Sequence, residues 1–140
     1  MENNEITTIT TNPVADFSAT NNSFFCSMSV ENDSDRATLY NALSNPDVKI
    51  ADHLNQEIVI KDIIIEPVEV VADDGTRNTV PRTVIIDIEG NTFAAVSTGI
   101  YNALKRIVSI YGMPTYANGV RVKVIQIARG ANRIYSLVVV

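Results

Sequence analysis

The sequence predicts a mainly β fold with helices: a five-stranded OB-type Greek-key barrel carrying an N-terminal strand and helix as an extension. Two observations predict it. Extended runs and one amphipathic helix follow in the order strand, strand, strand, helix, strand, strand. The first of those strands is unusually long, and a proline interrupts it.

Residues 1–23 are rich in Asn, Thr and Ser and read as an arm that cannot fold alone, either flexible or docked on a partner through Ile6, Ile9, Val14 and Phe17. Phe24 to Val30 reads as a short strand. Asp33-Ser34-Asp35 supplies capping side chains for a helix running to about Leu43, with Leu39 and Leu43 on one face. Asn45-Pro46 ends it, because proline biases its predecessor away from helical geometry. Residues 24–50 thus form the extension and residues 51–140 the barrel, within a single domain spanning 24–140.

From Glu57 to Ala72 the chain is almost continuously β-branched, which predicts one long strand. Pro67 cannot donate to a ladder, so it marks an edge, a bulge or a bend. Asp73-Asp74-Gly75-Thr76 is a turn, Thr79 to Glu89 a second strand, and Glu89-Gly90-Asn91 a tight hairpin into Thr92 to Val96. Ser97 or Thr98 caps a helix from about Gly99 to Tyr111, where Ile100, Ala103, Leu104, Ile107, Val108 and Tyr111 keep helical spacing. Gly112-Met113-Pro114 stops it. Val120 to Ala128 alternates apolar with basic or polar residues, Arg129 to Asn132 is a loop, and Arg133 to Val139 is the last strand.

A chain of 140 residues suits one domain, and with 46% apolar and 19% charged residues most of it should fold. No apolar run approaches the length of a membrane span, and Met1 to Glu5 lacks the basic region of a secretory signal, so a soluble cytoplasmic protein is expected. The single cysteine, Cys26, has no intrachain disulfide partner and reads as a small buried hydrophobe.

The net charge of −5 hides a segregation. All 16 acidic residues lie at or before Glu89, while Gly90 to Val140 carries Lys105, Arg106, Lys123 and Arg121, Arg129, Arg133 and no acid. Such asymmetry suits a protein that offers one surface to a polyanion.

The constellations an enzyme needs are missing. One histidine, His53, and one cysteine cannot make a zinc cluster, and no carboxylate spacing resembles a calcium loop, so neither metal nor cofactor is expected. His53 reads as a capping or surface residue. The six glycines form neither a phosphate-binding loop nor a dinucleotide fingerprint. Asp87 and Glu89 share a strand face without a nucleophile beside them, so a solvated strand end is the better reading.

Binding chemistry is better supplied. Recognition of single strands needs aromatic platforms for bases and a basic track for phosphates. Phe93, Tyr116 and Tyr135 are interleaved with Arg121, Lys123, Arg129 and Arg133 in the acid-free half. Arg121 and Lys123 share a parity opposite to Val120, Val122 and Val124 and should point outwards together. Arg129 and Arg133 flank the last hairpin loop and Arg77 lies in the first, the two loops an OB barrel uses as clamps. Lys105 and Arg106 read as solvating the helix, and each aromatic has packing as its competing role.

The segment from Ala51 to about Val138 resembles the OB-fold single-stranded DNA-binding proteins of Gram-positive phages and conjugative plasmids. The likeness is carried by Ala51-Asp52, Ile58 to Ile63, Pro81 to Asp87, the stretch Ala95 to Ile107, and Gly112 to Thr115. The resemblance implies sequence-nonspecific binding and protection of single-stranded DNA during phage or plasmid replication or transfer. A non-enzymatic homo-oligomer, associating through the N-terminal arm, is expected, without membrane contact. The familiar bacterial binders end in an acidic tail, whereas this chain ends Ser136-Leu137-Val138-Val139-Val140, so recruitment of partners should differ. The competing reading is a structural protein whose barrel serves only self-assembly.

Overall fold

The structure is a computed structural model that describes residues 24–140, and the expected N-terminal arm lies outside them. In chain order the described residues form β1 (Phe25–Cys26), α1 (Asp33–Ser44), β2 (Val48–Lys49), a 3-10 turn (Ile50–His53), β3 (Glu57–Val71) and β4 (Arg77–Asp87). They continue as β5 (Thr92–Ala95), α2 (Thr98–Tyr111), β6 (Val120–Arg129) and β7 (Asn132–Val139). Strand neighbours run β2-β5-β4-β3-β6-β7, with β1 added to β3. All pairings are antiparallel except that of β2 with β5, so the sheet is mixed.

This mainly β arrangement with two helices is compatible with an OB-type barrel, but two expectations need correction. The sheet has seven strands rather than five. No ladder joins β5 to β7 among the described residues, so the sheet curls into a half-barrel. The reason lies at β5, whose outer edge is taken by β2 through Val48 opposite Phe93 and Lys49 opposite Ala94. A two-residue strand is too short to show a period, which is why Val48–Lys49 reads as linker in the sequence. Conversely, the apolar run from Phe24 to Val30 becomes only the two-residue β1, because β3 offers it partners only at Ile64 and Ile65.

β3 bends at Lys61 and not at Pro67. Its ladder with β4 slips between Ile60 and Asp62, a bulge of the kind that kinks a strand and increases its twist. The extra residue also reverses side-chain parity. Ile58 and Ile60 before it, and Ile63 and Ile65 after it, therefore all face the same core. Pro67 sits directly opposite Pro81. The Ile63 N–H and C=O both point to Ser27 and away from β4, and Pro67 shares that parity. Its missing N–H would have faced the open edge beyond β1, so no ladder bond is lost.

Two clusters lie on opposite faces of the sheet. The larger joins β3 with Ile85, Phe93, Val120, Val122 and Val124 and with the buried face of α2, chiefly Ile100, Leu104, Ile107 and Val108. The smaller places Leu39, Ala42 and Leu43 of α1, with Cys26 and Met28, on Ile64, Val84, Ile86 and Ala94. α1 is capped by Asn32, one residue before the expected caps: its side chain accepts from the Asp35 N–H, and Asp35 in turn accepts from the Glu31 N–H. Arg82 fastens the far end, donating to the Leu43 carbonyl at 2.9 Å and to Glu66 at 2.7 Å. α2 is capped by Ser97, whose hydroxyl accepts from the Ile100 N–H.

Candidate nucleic-acid interface

β6 and β7 form a hairpin closed by Gly130 and Ala131 between the paired Arg129 and Asn132. Gly130 has φ +59°, at the position where a type II′ turn needs glycine. Along β6 the valines 120, 122 and 124 are buried while Arg121 is exposed and Lys123 partly exposed, in the alternation that the sequence predicts. Cross-strand pairing then divides the basic residues. Arg121, Lys123 and Arg129 share one face of the hairpin. Arg133 and Tyr135, paired with Ala128 and Gln126, share the other.

The cations differ in what already holds them. Arg121 donates to Glu57 at 3.0 Å, and Arg77, near the tip of the β3–β4 hairpin, donates to Glu69 at 2.9 Å. A phosphate would have to displace these carboxylates. Lys123, Arg129 and Arg133 have no acidic partner among the described residues. Glu57 nevertheless stands directly opposite Lys123 in the β3–β6 ladder, whereas Arg129 and Arg133 face Asn132 and Ala128 across the hairpin.

The three aromatic candidates are placed differently. Phe93 is 5% exposed, opposite Ile85 in the sheet, with the His53 ring 4.9 Å away. Tyr116 is 8% exposed; its hydroxyl donates to the Gly112 carbonyl at 2.6 Å, and burial pushes its pKa up to about 12. Both rings belong to the core and present no open face for a base. Tyr135 is half-buried, packed against the same core from β7. His53 bonds the Glu57 carbonyl through Nε2, and Asp87 receives the backbone N–H groups of Glu89 and Asn91 in the β4–β5 turn. Both roles are local and structural. Cys26 is half-buried, and burial pushes its thiol pKa up, which favours the inert protonated form.

A family model described as Phage Single-stranded DNA-binding protein matches residues 18–138. The chain belongs to that family. No curated protein and no solved structure matches it. For a single-strand binder the absence of a metal-holding cluster among the described residues is no obstacle, since stacking and phosphate contacts need none. No described helix is long and apolar enough to cross a membrane.

Two features of this phage single-strand binder are not read from its sequence. The first is that α1 covers the outer face of β4 and β5, so the face on which an OB barrel carries its ligand is filled by Leu39, Ala42 and Leu43. Helical spacing of Leu39 and Leu43 signals that α1 packs on something, but not on what. The second is a groove of about 500 Å³ between α2 and the β6–β7 hairpin, lined by Arg106, Ile110 and Tyr111 on one side and Ile127, Arg129 and Ile134 on the other. Ile110, outside the apolar stripe of α2, carries the signal for it, whereas Tyr111, which helical spacing assigns to that stripe, is exposed at the helix end.

Proposed function

We infer that the protein binds single-stranded DNA during phage DNA replication, without sequence preference and without catalysis, by stacking bases and pairing phosphates. Family membership across residues 18–138 carries the inference. The surface chemistry supports it: Lys123, Arg129 and Arg133, which make no ion pair among the described residues, lie on a hairpin in the acid-free half, with Tyr135 on the face of Arg133. Arg121 and Arg77 join them where a phosphate outcompetes Glu57 and Glu69. Phe93 and Tyr116 contribute by packing the core behind this surface.

The same reading takes the half-barrel as a variant of the OB type. It places the chain with the binders of Gram-positive phages and conjugative plasmids that Ala95 to Ile107 resembles, acting in the cytoplasm. Copies associate along the strand through residues 1–23, a role checked by light scattering of a chain lacking them; unchanged mass would remove that part. The experiment for the whole is a gel-shift series with single-stranded, duplex and RNA oligonucleotides of one length. Preference for the single strand is expected, and equal affinity for the duplex would overturn the reading.

A further inference from the structure

We propose that the DNA strand lies in the groove between α2 and the β6–β7 hairpin, with bases against Ile110 and Tyr111 and phosphates on Arg106 and Arg129. This rests on the single-strand-binding reading and adds the path of the ligand to it.

The path is first a matter of what remains open. Bases stack on accessible apolar or aromatic surface, and on the outer face of β4 and β5, α1 covers Val84, Ile86 and Ala94. The groove has such surface. Ile110 is 70% and Tyr111 51% exposed at the end of a helix whose other large apolar side chains are buried. Ile127 and Ile134 form the opposite wall.

Charge selects the occupant. None of the groove's lining residues is acidic, and its two charged ones, Arg106 and Arg129, have no acidic partner among the described residues. A basic peptide would find nothing to pair with there. A polyanion with flat apolar units finds guanidinium groups for its phosphates and an aromatic ring for its bases. The surface continues in kind along α2, where Asn102, Lys105, Arg106 and Ser109 line a second hollow with donors and no carboxylate. Lys105 lies 5.8 Å over the Tyr101 ring, which draws it towards Val80 and Pro81 on the β4 side of the helix. Arg106 thus acts as a ligand contact, beyond the solvating role that spacing alone suggests.

The chain contains no tryptophan, so a single introduced one reports its own surroundings. Tyr111→Trp places it in the groove, and Tyr40→Trp, at a 66% exposed position of α1, places it on the helix that covers the β4–β5 face. With oligo(dT) as probe, the fluorescence of Y111W should fall about twofold or more on binding while that of Y40W stays level. The double change Arg106→Ala, Arg129→Ala should lower the slope of log affinity against log salt by about 1.4, from about 0.7 per phosphate contact on single strands. Circular dichroism should show it folded. Quenching of Y40W instead, or unaltered Y111W fluorescence and unaltered salt slope while gel shift still shows binding, would overturn the groove and leave the function standing. Quenching of Y111W on raising protein concentration without DNA would overturn it too, making the groove a contact between copies. Failure of the natural sequence to shift oligo(dT) at all would overturn the reading beneath it.

Discussion

A cation contributes to phosphate binding only what its neighbours leave it. Lys123 and Arg121 are two residues apart on one face of β6, and Glu57 faces Lys123 across the ladder, yet its ion pair among the described residues is with Arg121. Lys123→Ala should therefore flatten the salt dependence of single-strand binding by about 0.7, the value of one phosphate contact on single strands. Arg121→Ala should flatten it by less, because a contact there already exchanges one anion for another. Salt titrations of the two variants check this, and equal slopes would show that the Glu57 pair opens freely. Tyr116 gives a prediction about stability. Its pKa is raised to about 12 by burial, against an ordinary value near 10, so the folded state holds the phenol proton more tightly than the unfolded one. Stability from this group is complete below about pH 10 and is lost as pH rises from there towards 12. Tyr116→Phe should cost about 1 kcal/mol at neutral pH, the net worth of the hydroxyl's bond to Gly112, and should lessen the alkaline decline measured by urea unfolding. An equally steep decline in the variant would place the alkaline sensitivity elsewhere.

Elements meet here at points of close approach that tolerate little change. A Cβ on Gly99 would lie 2.1 Å from the Tyr135 carbonyl oxygen, so the first turn of α2 is seated directly on the backbone of β7. Gly99→Ala should push helix and hairpin apart and cost about 1–3 kcal/mol, the usual price of overpacking, read as a lower Tm with α2 still helical. An unchanged Tm would mean that this seat is loose. At the bulge, Asp62 is buried and its Oδ1 accepts from the Ser27 hydroxyl at 2.8 Å and the Thr115 hydroxyl at 2.5 Å. One carboxylate thereby ties β1, the kink of β3 and the loop after α2 together. Asp62→Ala should destabilise by about 3 kcal/mol, since bonds to a charged acceptor contribute about 1.5–3 kcal/mol each and the gap left would be partly relaxed. Urea denaturation measures it, and a loss below 1 kcal/mol (about what one neutral hydrogen bond contributes) would contradict the role.

At this scale the sequence is most legible where the signal is local. α2 begins one residue from its expected start because Ser97 caps it, and its apolar spacing names its buried face. The hairpins are legible from Gly75, Gly90 and Gly130, all at positive φ. What depends on distant register is not legible. The Arg121–Glu57 pair spans 64 residues, and whether it forms is decided by the register of β3 against β6. Phe93 reads equally as platform or packing until β2 and His53 are known to close over it. Lys61 as the bend in place of Pro67 is likewise a property of the ladder, though the shift of isoleucines from even to odd positions across it is visible in hindsight.

Across the whole molecule, charge and packing divide the labour. The acidic half supplies β3, β4 and the helix that packs on the outer face of β4 and β5, and carboxylates of this half serve a cap, turns and ion pairs. The acid-free half supplies α2 and the β6–β7 hairpin, where cations without an ion pair among the described residues occur together with exposed apolar side chains. A chain of net charge −5 can hold a polyanion because α2, β6 and β7 carry cations and no acid. The measurement that tests this account most directly is a competition titration in which labelled oligo(dT), bound to the full chain, is challenged with unlabelled single strand and with duplex of equal length across a range of salt. The account predicts that the single strand competes at far lower concentration than the duplex at every salt and that affinity falls linearly in log salt. Equal competition by the duplex, or affinity indifferent to salt, would contradict it.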